Sequence, residues 1–185
     1  MKLKLLVVSI VAVAGVSVVA IAAAQGIGLI VGTKGNDALT GTEGRDVILA
    51  RGGNDTVDAL GGNDLVLAGR GDDQVNGGSG NDRIHGGPGN DTLLGGEGND
   101  RIHGGPGNDT VEGGPGNDRA AGGRGADVIR GGEGNDVIRI VADDDQVDNV
   151  DCGPGDDTVW VNAAESDVVV NCEHVKTVTV SSASD

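Results

Sequence analysis

The sequence predicts an all-β chain wound as a right-handed parallel solenoid of nonapeptide repeats with a disulfide-bearing C-terminal cap. Three observations predict it. An Asp recurs every nine residues from Asp37 to Asp145, an aliphatic residue (once alanine) follows two positions later each time, and two or three glycines punctuate most repeats. A fixed short period of this kind marks a repeat architecture before any secondary structure is assigned. Phe and Tyr are absent, Trp160 is the one aromatic among 185 residues, and the net charge is −16. Such a chain has no large side chains with which to fill an ordinary core.

The elements follow in chain order. Lys2 and Lys4 precede an apolar run that ends in Ala22-Ala23-Ala24, which predicts a signal peptide over 1–24. The alternative is an uncleaved membrane anchor, since the run is long enough to span a bilayer. Either way the remainder is expected outside the cytoplasm, secreted when the leader is cleaved. Residues 25–31 are expected to be a short linker.

Residues 32–148 divide into thirteen nonapeptides. With Asp as the sixth position, position four is Gly in every repeat except the thirteenth, which has Asp143 there. Position eight runs Leu39, Ile48, Val57, Val66, Val75, Ile84, Leu93, Ile102, Val111, Ala120, Ile129, Ile138, Val147. Positions seven to nine thus read outward, inward, outward, a three-residue strand. The glycine-rich positions one to six have to turn. Two repeats close one coil of eighteen residues, and parallel strands stack about 4.8 Å apart, with right-handed crossovers. Residues 149–185 hold two degenerate coils, with Asp157 and Val159, then Asp167 and Val169, at positions six and eight. They are expected to cap the open end of the solenoid. In an exported chain, Cys152 and Cys172 predict one disulfide, the alternative being two unlinked thiols.

One buried aliphatic, worth about 2 kcal/mol, has to offset the ordering of nine residues, glycine being among the costliest. The aspartates of successive coils would also repel one another. A bound cation resolves both problems. Carboxylates and backbone carbonyls are hard oxygen ligands suited to calcium, and no His or Cys cluster has soft-metal spacing.

Seven consecutive repeats, residues 77–139, match GGxGxD followed by x-aliphatic-x in full. This pattern resembles the repeats-in-toxin (RTX), or haemolysin-type, calcium-binding nonapeptide. The resemblance implies a β-roll holding several calcium ions. It assigns the ions to Asp82, Asp91, Asp100, Asp109, Asp118, Asp127 and Asp136 with turn carbonyls, and more weakly to Asp37, Asp46, Asp55, Asp64 and Asp73. The first five repeats lack the double glycine, so their sites are expected to be weaker or empty. The thirteenth, IVADDD, has lost every glycine and is not expected to bind in the same way.

No repeat position gathers a nucleophile, a base and an orienting acid, so catalysis is not expected. Arg83, Arg101 and Arg119 recur at position seven on one sheet, with His85 and His103 at position nine and Arg139 continuing that column. The opposite sheet carries Thr56, Thr92 and Thr110 with Asp58, Glu112 and Asp148. The basic column reads as a solvated face, as a docking stripe for an anionic cell-surface polymer or polysaccharide, or as a two-histidine zinc site. No nucleic-acid partner is expected, and no membrane unless the leader is retained.

Overall fold

The computed structural model describes residues 27–140 and 146–179, together with the backbone of Val11–Val13 and Val16–Val18. Those two short strands, β1 and β2, pair antiparallel. Among the described residues there is no helix, and none long and apolar enough to cross a membrane.

Two parallel sheets make the body. One has nine strands: β3 (Gly28–Val31), β5 (Asp46–Gly52), β7 (Leu65–Arg70), β9 (Arg83–His85), β11 (Arg101–Pro106), β13 (Arg119–Arg124), β15 (Val137–Ile140), β17 (Thr158–Asn162) and β19 (His174–Val178). The other has eight: β4 (Ala38–Thr42), β6 (Thr56–Leu60), β8 (Gln74–Ser79), β10 (Thr92–Glu97), β12 (Thr110–Pro115), β14 (Val128–Glu133), β16 (Asn149–Asp151) and β18 (Val168–Val170). The chain alternates between them. Strands eighteen residues apart pair in register, as in Ile84 with Ile102 and Leu93 with Val111. Each nonapeptide therefore supplies one strand and one turn.

Between the sheets lies a single file of aliphatic residues. Position eight is buried from Leu39 to Ile138, Ala120 included, and the file begins one strand earlier at Ile30. Gly28–Val31, expected to be linker, is thus the edge strand of the nine-stranded sheet, paired to Val47 and its neighbours. Position one also points inward. Ala50, Ala59 and Ala68 fill it with buried methyls, whereas the double-glycine repeats leave it bare.

The strands run longer than the expected three residues. In β10, Gly96 and Glu97 still pair with Gly78 and Ser79, so only positions four to six turn freely. Two backbone features permit this. Gly78, at position two, has φ +95°, and Gly80, at position four, has φ +130°. A Cβ at Gly80 would fall on the carbonyl oxygen of Gly62 in the coil below. No side chain fits there.

The thirteenth repeat departs from the ninefold register. Ile129 pairs with Val150 and Ile138 with Val159, a spacing of 21 instead of eighteen. Asp148 and Val150 are buried and take positions six and eight, while Val147 is 44% exposed. Asp145 lies outside the described residues. This corrects the assignment of Val147 to the core and of Asp148 to the outer face. IVADDD, alone among the thirteen repeats, has no glycine at position four, and strand pairing resumes three residues later than the ninefold count. After that insertion the regular pattern returns: CGPGDDTVW, residues 152–160, is a complete nonapeptide with Cys152 at position one, Gly153 at φ +91° and Asp157 at position six. Cys152 and Cys172 form the expected disulfide, with Cα atoms 5.2 Å apart.

Candidate metal sites

All twelve expected aspartates are buried, none more than 3% exposed. They form two ladders, one along each row of turns. In each, the N–H of an Asp donates to Oδ1 of the Asp one coil further on: Asp37 to Asp55 at 2.8 Å, Asp82 to Asp100 at 2.7 Å, Asp91 to Asp109 at 2.8 Å, Asp118 to Asp136 at 2.8 Å. Across the insertion the ladders go on, with Asp127 donating to Asp148 at 2.9 Å and Asp136 to Asp157 at 2.7 Å.

The second carboxylate oxygen is different. Oδ2 of Asp55, Asp64, Asp73, Asp82, Asp91, Asp100, Asp109, Asp118 and Asp136 is buried and accepts no hydrogen bond, as is Oδ1 of Asp46. A row of buried carboxylate oxygens without donors is costly. In the double-glycine repeats this oxygen faces the bare position one of its own turn. A Cβ at Gly77 would lie 2.7 Å from Asp82 Oδ2 and against the carbonyl oxygen of Gly95 in the next coil. The same pair of oxygens, one carboxylate and one carbonyl, converges at Gly86, Gly95, Gly104, Gly113 and Gly131.

Burial dominates the electrostatics. Desolvation pushes the pKa of Asp55, Asp64, Asp73, Asp82, Asp91 and Asp109 up to about 6, and that of Asp118 to about 7, against the lowering effect of the ladder hydrogen bond. Asp100, Asp136 and Asp157 are raised for the same first reason. The surroundings of these groups thus disfavour the ionised form. Among the described residues no three His, Cys, Asp or Glu side chains group as a metal cluster. An ion at these turns would therefore draw its remaining ligands from backbone carbonyls. Calcium, with six to eight oxygen ligands, suits that donor set.

The first repeat stands apart. Thr33 donates to Asp37 Oδ2 from its N–H at 2.5 Å and from its hydroxyl at 3.1 Å. Asp37 is thereby satisfied by protein alone. Asp46 is partly so, through Thr42 at 2.6 Å. Repeats three to five, although they have alanine at position one, keep the donorless oxygen. Losing the double glycine therefore does not by itself give this oxygen a donor.

Two features escaped the sequence reading. Asn at position five forms an outer ladder, its Oδ1 accepting the N–H one coil on, as in Asn81 to Asn63 at 2.7 Å and Asn99 to Asn81 at 2.9 Å. Its signal was the recurring Asn-Asp pair. Glu173 ends the other ladder by accepting from Asp157 N–H at 2.9 Å. No period could reveal it, because its spacing from Asp157 is sixteen.

On the outer face of the nine-stranded sheet Arg83, Arg101 and Arg119 pair in register, as do His85 and His103. The two imidazole rings meet edge to face at 5.6 Å. Burial and the neighbouring His85 lower the pKa of His103. Nearer the N-terminus the same columns carry Leu29, Val47 and Leu65, then Val31, Leu49 and Leu67.

The chain matches no curated protein at a significant level. The family model of the RTX calcium-binding nonapeptide repeat, four copies long, matches at residues 31–66, 50–84, 58–93, 76–111, 85–120 and 112–147. Together the matches cover well over half of the chain, on the same residues that carry the aspartate ladders: the chain belongs to the RTX calcium-binding nonapeptide repeat family.

Proposed function

We propose that this chain is an exported, non-catalytic calcium-binding β-roll that completes its folding on meeting extracellular calcium. One observation carries the reading: the two rows of buried aspartate oxygens that accept no hydrogen bond, facing a carbonyl across a bare glycine in the double-glycine repeats. Asp82, Asp91, Asp100, Asp109, Asp118 and Asp136 would hold ions with carbonyls such as those of Gly95 and Gly113. Asp127 continues the ladder of Asp91 and Asp109. Bound ions supply the positive charge that stacked carboxylates lack. Extracellular calcium modules bind with dissociation constants of about 10⁻⁴–10⁻³ M, so at millimolar calcium each site adds about 0.4–1.4 kcal/mol. At cytosolic calcium the contribution vanishes. The chain would then remain unwound until export, which the apolar leader over 1–24 would direct.

The test is circular dichroism of the mature chain in chelator and in calcium. Strand signal should develop with added calcium and saturate in the millimolar range. Full strand signal in chelator would overturn the proposal.

A second reading treats the roll as a scaffold for binding an anionic cell-surface polymer. What favours it is a hollow of about 430 Å³ on the basic face, lined by His103, Ala121, Arg124 and Arg139 among others, beside the Arg83–Arg101–Arg119 column. Replacing the three column arginines by Ser should abolish retention on an immobilised polyanion and leave calcium binding intact. Unchanged retention would reject this reading.

A further inference from the structure

The family match ends at residue 147, but the turn geometry does not. Residues 152–157, CGPGDD, restore the regular turn on the far side of the three-residue insertion. Asp157 is fully buried. Its Oδ1 accepts the Asp136 N–H at 2.7 Å, and its Oδ2 accepts nothing. The same arrangement recurs along the stack at Asp55, Asp82, Asp100 and Asp118. The carbonyl of Cys152 stands against Gly131 beside Asp136 Oδ2, where glycine carbonyls stand in the earlier coils.

Beyond Asp157 the chain departs from every earlier coil. Glu173 takes the place of the next aspartate, receiving the Asp157 N–H at 2.9 Å on Oε2. A longer side chain is needed because only sixteen residues separate the two. Glu173 directly follows Cys172, so the disulfide to Cys152 ties it to the turn it closes. An open hollow of about 490 Å³ lies at this end of the row, lined by Asp151, Gly153, Pro154, Gly155, Asn171 and Glu173. Asp151 is already engaged by Asn171 at 2.8 Å, and Asp156 by His174 at 2.8 Å. Of the carboxylates lining the hollow this leaves Glu173, which is joined through Oε2 to the backbone of Asp157, whose buried Oδ2 accepts no hydrogen bond.

We propose that the row of calcium sites continues beyond the matched repeats into a terminal, disulfide-held site formed by Asp157, Glu173 and the turn carbonyls of residues 152–155. It rests on calcium binding by the regular repeats and adds a site that only this chain's cap supplies. Cys152 makes one wall of the turn and, through the disulfide, anchors the carboxylate that closes it.

Trp160 makes the site separately observable. It is the one aromatic residue besides histidine in the chain and lies three residues from Asp157, at most about 10 Å along an extended strand. Terbium, a hard trivalent probe of calcium sites, luminesces on excitation of a nearby indole. Wild-type protein, D157N, E173Q and D82N should be compared by terbium luminescence and by counting bound calcium calorimetrically. Asp82 lies about four strand spacings, some 19 Å, further along the stack. D157N and E173Q should each dim the luminescence at least threefold and lower the calcium count by one. D82N should lower the count and leave the luminescence unchanged. Should D157N fail to give the strand signal in saturating calcium, E173Q decides, because Glu173 is exposed and Gln keeps an oxygen for the Asp157 N–H. Wild-type luminescence and count in E173Q would overturn the terminal site. A wild-type chain that binds no calcium would instead overturn the reading beneath it.

Discussion

Protons should partly replace calcium. The perturbation is acidification of the metal-stripped chain from pH 8 to pH 5.5, which stays above the pI of about 4.3. Seven buried aspartates have their pKa raised by burial to about 6 or about 7, whereas an unfolded aspartate titrates near 3.9. A carboxyl whose folded pKa is raised penalises the folded state above that pKa. The penalty is relieved as pH falls through 7 and 6 toward 4, because the folded state then binds more protons than the unfolded one. At pH 5.5 the seven groups hold on the order of five protons more when folded. Each such proton is worth about 1.4 kcal/mol per pH unit, so several kcal/mol of stability return between pH 6.5 and pH 5.5. Circular dichroism without calcium should show strand signal rising over that interval, and the calcium needed at saturation should increase because protons compete for the same oxygens. Strand content that stays flat or falls on acidification would refute the claim that buried, uncompensated carboxylates hold the apo chain open.

Three further outcomes are expected from the geometry. Asp109→Asn keeps an oxygen for the Asp91 N–H and removes the charge, so the calcium count should fall by one or two; Asp37→Asn, at a carboxylate already satisfied by Thr33, should leave the count unchanged by calorimetry. Gly98→Ala places a Cβ on the Gly80 carbonyl at φ +129°, where positive φ alone costs about 1–2 kcal/mol; a titration followed by circular dichroism should show the calcium midpoint rising several-fold, whereas Ser79→Ala should not move it. Reducing the Cys152–Cys172 bond opens a loop of about 20 residues, worth about 3 kcal/mol in the chain-entropy model, and should raise the calcium midpoint while hydrogen exchange accelerates in β19 before the central strands.

Much of the site was legible because the repeat is strictly local. Nine residues contain the strand, the turn and the acid, so the period alone places Asp82 to Asp136 on the turns and Ile84 to Ile138 in the seam. The basic column was legible for the same reason, since residues eighteen apart become neighbours. The N-terminal edge strand was not, because Gly28 stands where the acid would be: Ile30 keeps the ninefold place, but without the marker Asp only its pairing with Ile48 reveals it. The role of position one was hidden too, since a glycine shows which way its missing side chain would point only once the next coil lies against it.

By itself the sequence determined the coil length, the buried aliphatic file and the spacing of the acids, all consequences of which residues tolerate turning and which prefer burial. Only the tertiary structure decided the register beyond Ile140. There an unbroken count of nine leads to Asp145 and Val147, but strand pairing selects Asp148 and Val150. A count along the chain cannot tell a turn that closes in six residues from one that needs nine. The hydrogen-bonded partner on the neighbouring strand determines where the next repeat begins.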